Sequence, residues 1–235
     1  MKKLLGCIRR ADEDFGLIKD GDRIAVGVSG GKDSIALLYA LRLYKYFSKT
    51  KYDIIGITLD MGLFHPDTDE IQKFCSANDI EYKVVPTKIG NIVFEARKES
   101  NPCALCSNLK RGALHNAAIE ENCNKVALGH HFDDVLETLM MSLLYEGRFN
   151  TFSPLTYMER KNIYVIRPMV YASEMEIIGV AKRHNLPVFK SGCPADGTTK
   201  REEMKEAVRV IVKKYPDFKE RVLTALKNKD TQKLW

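Results

Sequence analysis

Six consecutive residues, Ser29-Gly30-Gly31-Lys32-Asp33-Ser34, have the composition needed to hold a phosphate group. Two adjacent glycines let backbone N–H groups turn toward an anion, and Lys32 adds a positive charge. A strand pattern at Arg23 to Val28 precedes the motif, and a helical pattern at Ser34 to Tyr46 follows it. Because the turn between a buried strand and a helix N-terminus is a common anion site, the segment predicts phosphate binding.

The spacing of this motif differs from two common phosphate-binding loops. A Walker P-loop needs a glycine five positions before the glycine of its Gly-Lys pair, and Val26 occupies that position here. The segment also lacks the Gly-x-Gly-x-x-Gly dinucleotide fingerprint. An ordinary glycine turn capped by Ser34 or Asp33 would explain the turn, but not why all six residue types occur together.

Apolar runs alternate with amphipathic segments along the chain, which predicts an α/β fold with a doubly wound, mainly parallel five-stranded sheet. We predict one domain, 1–235, with helical segments at its two ends, 1–20 and 200–235. The predicted strands are Arg23 to Val28, Asp53 to Leu59, Glu81 to Val85, Lys125 to Leu128 and Ile163 to Arg167. The later predicted helices are Thr68 to Asn78, Ala104 to Asn122, Asp133 to Tyr145, Ser173 to His184, Lys200 to Lys213 and Asp217 to Lys227. Ser173 and Glu176 have the spacing of a capping box.

Polar residues collect at the predicted carboxyl ends of the strands, where open α/β sheets bind ligands. Asp60 follows the second strand, and Gly129-His130-His131-Phe132-Asp133-Asp134 follows the fourth. Asp133 and Asp134 offer the hard oxygen atoms that Mg²⁺ prefers. Asp133 could equally be a helix N-cap, and His131 and Glu137 could be exposed helix positions.

The chain has six cysteines, of which Cys103 and Cys106 form a Cys-x-x-Cys motif at the start of a helical pattern. A helix N-terminus and the neighbouring Lys110 and Arg111 would stabilise thiolates, as redox, metal and sulfur-transfer sites require. The chain lacks a second Cys-x-x-Cys or a paired Cys and His, which disfavours zinc, and the motif does not closely follow a strand, which disfavours a thioredoxin-like pair. We interpret Cys7, Cys75 and Cys123 as small buried or incidental thiols.

The composition is that of an ordinary globular protein, with 45% hydrophobic and 29% charged residues. No apolar run reaches the length of a membrane span and no signal peptide is recognised, so we expect a cytoplasmic protein that has reduced cysteines and no membrane partner. The net charge of +6 suits a polyanionic partner. The basic residues of the last third fit a solvated helix face equally well.

Four motifs together resemble one family, the tRNA 2-thiocytidine synthases of the PP-loop ATP pyrophosphatase superfamily. They are Ser29 to Ser34, Pro102-Cys103-Ala104-Leu105-Cys106, Lys110-Arg111-Gly112, and Gly129 to Asp134. The resemblance implies an adenine nucleotide alpha hydrolase-like fold that cleaves ATP between its α and β phosphates. By this resemblance the nucleotide site comprises Ser29, Gly30, Gly31, Lys32, Asp33, Ser34, Asp60, Gly129, His130 and Asp134, with Mg²⁺ held by Asp133 and Asp134.

The resemblance also implies a [4Fe-4S] cluster held by Cys103, Cys106 and Cys193, with one iron left open to carry sulfur. Members of the family often have a second Cys-x-x-Cys near the third ligand, whereas Cys193 stands alone here. The implied reaction makes 2-thiocytidine in the anticodon loop through an adenylated base, with release of AMP and pyrophosphate. Lys32, Cys103, Cys106 and Cys193 would be the catalytic residues.

The implied partners are tRNA, a sulfur donor such as a cysteine desulfurase, and a second copy of the chain in a homodimer. We predict RNA contacts at Lys110, Arg111 and Arg167, although Arg167 could also form a strand-end ion pair. Tyr157, Tyr164 and Tyr171 are interpreted as packing residues. Three alternatives stay open: a sulfur transferase acting on uridine or a small molecule, a lysidine-synthetase-like amide-forming ligase, and a non-catalytic nucleotide-binding iron-sulfur sensor.

Overall fold

The structure is a computed structural model that describes residues 1–62, 68–97, 102–189 and 200–228. The helices α1 to α8 are Lys2–Phe15, Lys32–Tyr44, Asp69–Ala77, Pro102–Glu120, Phe132–Met141, Glu174–Arg183, Lys200–Lys214 and Phe218–Lys227. The strands β1 to β6 are Asp22–Gly27, Tyr52–Asp60, Glu81–Pro86, Lys125–Ala127, Leu155–Met158 and Ile163–Ile166. Two π-helical stretches cover Asn91–Arg97 and Ser142–Glu146, and a 3₁₀ turn covers Glu159–Lys161.

The sheet has the order β3-β2-β1-β4-β6-β5, and all neighbouring pairs except β5 and β6 are parallel. The predicted doubly wound, mainly parallel fold is therefore confirmed. The predicted number of five strands is wrong, because Leu155–Met158 adds a sixth, antiparallel strand at the edge. This strand has four residues and is mostly half-buried, so it lacks the apolar run by which the other strands were found.

The described residues fall into two compact units. The first comprises Met1–Phe132 and Ser153–Pro194, and the second comprises Asp133–Phe152 and Ala195–Trp235. The whole sheet lies in the first unit, together with α1 to α4 and α6. The second unit contains α7, α8 and all of α5 except its first residue.

The core of the first unit is built around α2, which is apolar on nearly every side. Ile35, Leu37, Leu38 and Leu41 are all fully buried. A helix with this pattern has no face to offer to water, so it must lie between other elements. Burial of this kind fixes the N-terminus of α2, which directly follows the predicted phosphate loop, against the sheet.

On another part of the sheet, α4 packs its last turns against the central strands. Leu114, Ala117 and Ala118 share one buried cluster with Ile55 of β2 and Ile163 of β6. The first turn of α4, which carries the Cys-x-x-Cys motif, is thus attached to a helix whose other end is anchored in the core. None of the helices in the described part of the chain is long and apolar enough to cross a membrane.

A buried ion pair joins β1 to β4. The Nζ of Lys125 lies 2.7 Å from a carboxylate oxygen of Asp22, and each side chain is only 4% exposed. Lys125 also donates to the Leu17 carbonyl, and Asn124 donates to Asp22. The two charges are therefore compensated by hydrogen bonds as well as by each other, which a buried ion pair requires.

The predicted capping box at the start of α6 is confirmed. The Ser173 hydroxyl accepts a hydrogen bond from the Glu176 backbone N–H, and the Glu176 carboxylate accepts one from the Ser173 N–H. The cap fixes the residue at which α6 begins, and so it fixes the position of Glu174 in the first turn.

Candidate functional site

The predicted phosphate loop lies at the switch point of the sheet. After β1 the chain passes to β2 on one side, while β4 lies on the other side of β1. The loop from Ser29 to Gly31 follows β1, and Gly129 and His130 follow β4. The carboxyl ends of β1 and β4 therefore form the crevice in which open α/β sheets bind ligands.

The loop is closed by hydrogen bonds of its own residues. The Ser34 hydroxyl accepts from the backbone N–H of Ser29 at 3.1 Å and donates to the Gly31 carbonyl at 2.9 Å. Gly31 is the N-cap of α2, so the helix N-terminus faces the loop. A helix N-terminus carries partial positive charge and unpaired N–H groups, which favours an anion at this place.

Gly129 lies directly against the start of α2. A Cβ atom on this residue would come within 3.0–3.1 Å of the carbonyl carbon and oxygen of Asp33 and of the Ser34 nitrogen. Since these are backbone atoms, they cannot move aside as a flexible side chain can. The absence of a side chain at Gly129 therefore permits the close contact between the end of β4 and the loop.

The Lys32 ammonium is held between two carboxylates. Its Nζ lies 3.1 Å from Asp33 and 3.0 Å from Glu174 at the start of α6. Burial by itself would lower the pKa of Lys32, but the two carboxylates outweigh it and the pKa lies above its ordinary value. Lys32 is therefore positively charged at neutral pH and is positioned from both sides.

Two histidines and Asp60 complete the polar lining of this edge. His131 is buried, and its Nε2 lies 3.7 Å from a carboxylate oxygen of Asp33. His130 is half-buried beside Gly129. Asp60 ends β2, where its carboxylate accepts from the Gly62 N–H at 2.9 Å and its carbonyl accepts from Thr87 at 2.8 Å. All three lie at carboxyl ends of parallel strands, as predicted.

An aromatic residue from a distant part of the chain covers one glycine of the loop. The Phe189 N–H donates to the Gly30 carbonyl at 3.1 Å. A Cβ atom on Gly30 would lie only 2.1–2.6 Å from three atoms of the Phe189 ring, and Gly30 has a φ of +84°. Both the backbone conformation and the packing therefore require glycine at this position.

Cys103 and Cys106 lie in the first turn of α4, which begins at Pro102. Cys103 is exposed and Cys106 is buried beside Ile89 and Val93. Residues three apart on a helix face the same side, so these two thiols can bind one metal centre together. Among the described residues, no group of three or more Cys, His, Asp or Glu side chains is arranged to hold a metal ion, and the predicted third ligand, Cys193, lies outside them.

The other described cysteines have surroundings that suppress thiolate formation. Burial raises the pKa of Cys75 and of Cys123 to about 11. Burial and the nearby Glu176 raise the pKa of Cys7 as well. Since the thiolate is the reactive and metal-binding form, these three thiols are poor nucleophiles and poor ligands.

The predicted RNA contacts form a basic area in the first unit. Lys110 and Arg111 are exposed on α4. Arg167 follows β6 and donates to the Ser153 carbonyl at 2.6 Å. Burial, together with the charge of Arg111, lowers the pKa of Arg167 to about 10, so the guanidinium still carries its charge at pH 7. Two of the three predicted cations are thus electrostatic neighbours.

In the second unit, Asp133 and Asp134 lie in the first turn of α5 and have basic partners. Lys219 pairs with Asp133, and Arg201 lies 3.5 Å from Asp134 and 3.0 Å from Glu137. Burial raises the pKa of Glu137, whereas Arg201 opposes this shift. The interpretation of His131 and Glu137 as exposed positions is wrong, because both are buried.

The sequence interpretation missed two residues of the site. Glu174 contacts Lys32 and Phe189 contacts Gly30, although each is far from the loop along the chain. The capping box predicted the start of α6 but gave no signal that its first residue would reach a lysine. Nothing in the local sequence around Phe189 distinguishes it from an ordinary core residue.

Comparison with known proteins assigns this fold and site to a class. The profile of the PP-loop domain family matches residues 7–209. The structure is similar to that of the U34-tRNA thiolase NcsA from Methanococcus maripaludis with its [4Fe-4S] cluster. The TM-score is 0.75 at 26% identity, over 94% of this chain and 76% of that one.

Similarity to curated proteins identifies a subgroup within the PP-loop family. The chain is 38% identical over 230 residues to the tRNA-cytidine(32) 2-sulfurtransferase of Geobacter sulfurreducens, covering 97% of this chain and 90% of the relative. It is 37% identical, with the same coverage, to the enzyme of that name from Geobacter metallireducens. The chain belongs to the PP-loop family and, within it, to the tRNA-cytidine(32) 2-sulfurtransferases, which confirms the resemblance inferred from the motifs.

Proposed function

We propose that this protein is an ATP-dependent tRNA thiolase that makes 2-thiocytidine at position 32 of the anticodon loop. The observation that supports this most is that one compact unit contains both a phosphate loop and a Cys-x-x-Cys helix start. A thiolase needs a phosphate loop to activate an oxygen of its substrate with ATP, and it needs cysteines to bind the group that supplies sulfur. The curated relatives are named for this reaction.

The activation step uses the loop from Ser29 to Ser34. O2 of the cytidine attacks the α-phosphorus of ATP, pyrophosphate leaves, and the base becomes adenylated. The Lys32 ammonium and the N–H groups at the start of α2 would offset the negative charge that develops on the phosphates. Sulfur supplied as hydrosulfide then attacks C2 of the base, the C2–O2 bond breaks, AMP leaves with the O2 atom, and a proton is released.

The sulfur-handling step requires ligands that fit a cluster. If three cysteines bound a [4Fe-4S] cluster, the group would supply an iron at which sulfur could be held. Cys103 and Cys106 fit such a group because they lie three residues apart in the first turn of α4 and can therefore face one centre together. Cys193 is proposed as the third ligand. The thiolase NcsA, whose fold is similar, contains a [4Fe-4S] cluster.

Lys110, Arg111 and Arg167 are proposed to contact the tRNA backbone. The side chains of Lys110 and Arg111 are exposed on the helix that carries the cysteines, so phosphates bound there would lie near the sulfur site. An anticodon loop is a suitable substrate, since its unpaired bases can turn outward into a pocket. Replacement of Arg111 by Ala should weaken tRNA binding and reduce its salt dependence, without changing ATP binding.

The first test is anaerobic purification followed by iron and sulfide analysis, a visible spectrum and a thiolation assay on cytidine-32 tRNA. About four irons per chain and ATP-dependent 2-thiocytidine are expected from the native chain. Cys193→Ala should lose the iron and the activity, whereas Cys123→Ala should keep both. If Cys193→Ala keeps a full cluster and full thiolation, the proposed third ligand is wrong.

A second candidate substrate is uridine 34, which is favoured by the similarity to NcsA. Both substrates would use the same nucleotide loop and the same cysteines, so these residues do not discriminate between them. Mass spectrometry of the nucleosides from treated tRNA does. Thiocytidine without thiouridine supports the first proposal, and the reverse result supports the second. Pyrophosphate release with a new amide and no sulfur would indicate a lysidine-synthetase-like ligase.

Four further proposals accompany this function. Mg²⁺ would bind through Asp133 and Asp134, a cysteine desulfurase would supply the sulfur, the protein would be a homodimer, and it would act in the cytoplasm. The Mg²⁺ requirement can be measured by titrating the metal into the pyrophosphate-release assay. Light scattering after gel filtration measures the mass of the assembly, and a monomer would contradict the homodimer.

A further inference from the structure

The contact between Phe189 and Gly30 has a geometric consequence for the phosphate loop. The Gly30 carbonyl accepts a hydrogen bond from the Phe189 N–H, at 3.1 Å. In a trans peptide, the C=O of one residue and the N–H of the next point in opposite directions. The N–H of Gly31 must therefore point away from Phe189. Among the described residues, none accepts a hydrogen bond from this N–H.

This orientation matters because the Gly30-Gly31 peptide is intrinsically free to turn. With a glycine on each side, the peptide plane can flip at little steric cost. After such a flip, a carbonyl oxygen would take the place of the N–H and would repel a phosphate. A loop that binds an anion through this N–H therefore needs a restraint on the peptide.

Phe189 supplies this restraint in two ways. Its N–H holds the Gly30 carbonyl, and its ring fills the space beside Gly30 in which a side chain would otherwise lie. The two glycines accordingly differ in exposure, since Gly30 is buried and Gly31 is half-buried. The covered glycine faces Phe189, while the second glycine is left accessible at the N-terminus of α2.

The segment that carries Phe189 is itself anchored. Leu186 is buried, and its N–H donates to the Ala181 carbonyl in α6 at 3.0 Å. The Val188 N–H donates to the Leu186 carbonyl at 2.8 Å. Phe189 is thus held from the α6 side, so it can restrain the loop and does not merely follow it.

We propose that Phe189 is a positioning residue that sets the direction of the Gly31 N–H for binding of the nucleotide phosphates. The inference rests on the proposed ATP-dependent function and assigns a new residue to its nucleotide site. Phe189 acts through the loop peptide and touches no reacting atom. Its loss should raise the Kd and KM for ATP, while kcat at saturating ATP stays within about twofold.

The test measures binding of the α,β-methylene analogue of ATP by calorimetry, which needs neither tRNA nor a cluster. Phe189→Pro removes both the N–H donor and the phenyl ring and should weaken binding by roughly tenfold. Phe189→Ala keeps the donor but removes the ring, and about threefold weaker binding is expected. Phe189→Tyr keeps both and should bind like the native chain. Val188→Ala is the matched control, because it changes the neighbouring residue, whose side chain is 45% exposed.

The outcomes separate this inference from the proposed function. If Phe189→Pro and Phe189→Ala both bind the analogue as tightly as the native chain, the inference is wrong whatever the substrate is. If Phe189→Pro does not fold, as judged by circular dichroism and Tm, Phe189→Ala against Phe189→Tyr still decides the question. A native chain that binds the analogue but thiolates no tRNA would contradict the proposed function and leave the role of Phe189 intact.

Discussion

The predicted phosphate loop and the Cys-x-x-Cys turn lie in the same compact unit but differ in their surroundings. The loop is enclosed by residues from three other places, namely Gly129 after β4, Glu174 in α6 and Phe189 beyond it. The Cys-x-x-Cys turn has Cys103 exposed and Cys106 against a small apolar cluster. The structure of the loop therefore depends on backbone shape and close packing, whereas the role proposed for the cysteine turn depends on the chemical identity of two sulfur atoms.

This difference predicts that a substitution in one of the two regions will leave the function of the other region unchanged. A change in the cysteine turn should remove sulfur chemistry and leave nucleotide binding, and a change in the loop should do the opposite. Subtle steric changes should matter more in the loop than in the cysteine turn, because backbone atoms in close contact have no freedom to adjust.

The largest effect is expected from Cys106→Ala. This variant should lose bound iron and thiolation completely while it binds the ATP analogue as the native chain does, because Cys106 packs in a separate small cluster with Ile89 and Val93. Iron analysis and calorimetry on one preparation measure both quantities. Cys7→Ala is the control, since its thiol has a raised pKa and should not bind metal. Loss of nucleotide binding in Cys106→Ala would show that the two regions are coupled.

The second largest effect is expected from Lys32→Ala, which should impair the reaction with ATP and leave the bound iron in place. Loss of a charge that stabilises the transition state typically costs on the order of 100-fold in rate, so pyrophosphate release should fall by about that factor while the iron content stays unchanged. Lys45→Ala is a suitable control, because Lys45 pairs with Asp53 on the surface. ATP-dependent activity that survives Lys32→Ala would mean that the phosphate loop is wrongly assigned.

A smaller effect is expected from alanine at each of the two loop glycines. Gly30→Ala places a Cβ against the Phe189 ring in a backbone conformation of positive φ, and it should lower the free energy of unfolding by about 2 kcal/mol. Gly31 has a φ of −73°, and a Cβ there would be 3.6 Å from the Ser29 hydroxyl, which is an ordinary contact. Urea denaturation should therefore show Gly31→Ala within about 0.5 kcal/mol of the native chain. Equal losses in the two variants would contradict the packing described for Gly30.

The smallest effect is expected in the pH dependence of the stability, through His115 in α4, the helix that carries the cysteines. Burial, with Arg111 and Lys161 nearby, lowers the pKa of His115 in α4 below its ordinary value of 6.5. Below that pH the unfolded chain takes up a proton that the folded chain does not, so this group contributes a loss of stability as the pH falls from about 6.5. His115→Gln should show a shallower loss between pH 7 and pH 5 in denaturant titrations. An identical pH dependence in both proteins would mean that His115 is not kept neutral by the fold.

The features that the sequence predicted correctly depend on short-range chemistry. The parallel strands follow from continuous apolar runs, and the capping box follows from Ser173 and Glu176 three residues apart. The turn between β1 and α2 follows from its two adjacent glycines, Gly30 and Gly31. Each of these patterns lies within a few residues of the structure it predicts.

The features that the sequence did not predict depend on contacts between distant segments. Neither Glu174 nor Phe189 has a local pattern that points to the loop, because their contacts arise only after α6 has packed beside α2. The burial of His131 and Glu137 was missed for the same reason, since polar residues in an amphipathic pattern are ordinarily assigned to the exposed face. The edge strand Leu155–Met158 was missed because four residues, three of them half-buried and one exposed, give too short a pattern.

The buried pair of Asp22 and Lys125 has a consequence for how the chain finds its fold. These residues lie on β1 and β4, and β1 pairs with β4 in one register, with Ile24 opposite Lys125. If β4 slipped by one residue, the Lys125 side chain would point to the other face of the sheet and leave Asp22. Asp22 would then be buried without its cationic partner, at a cost of several kcal/mol. The ion pair therefore favours the observed register of β1 and β4 over one shifted by a residue.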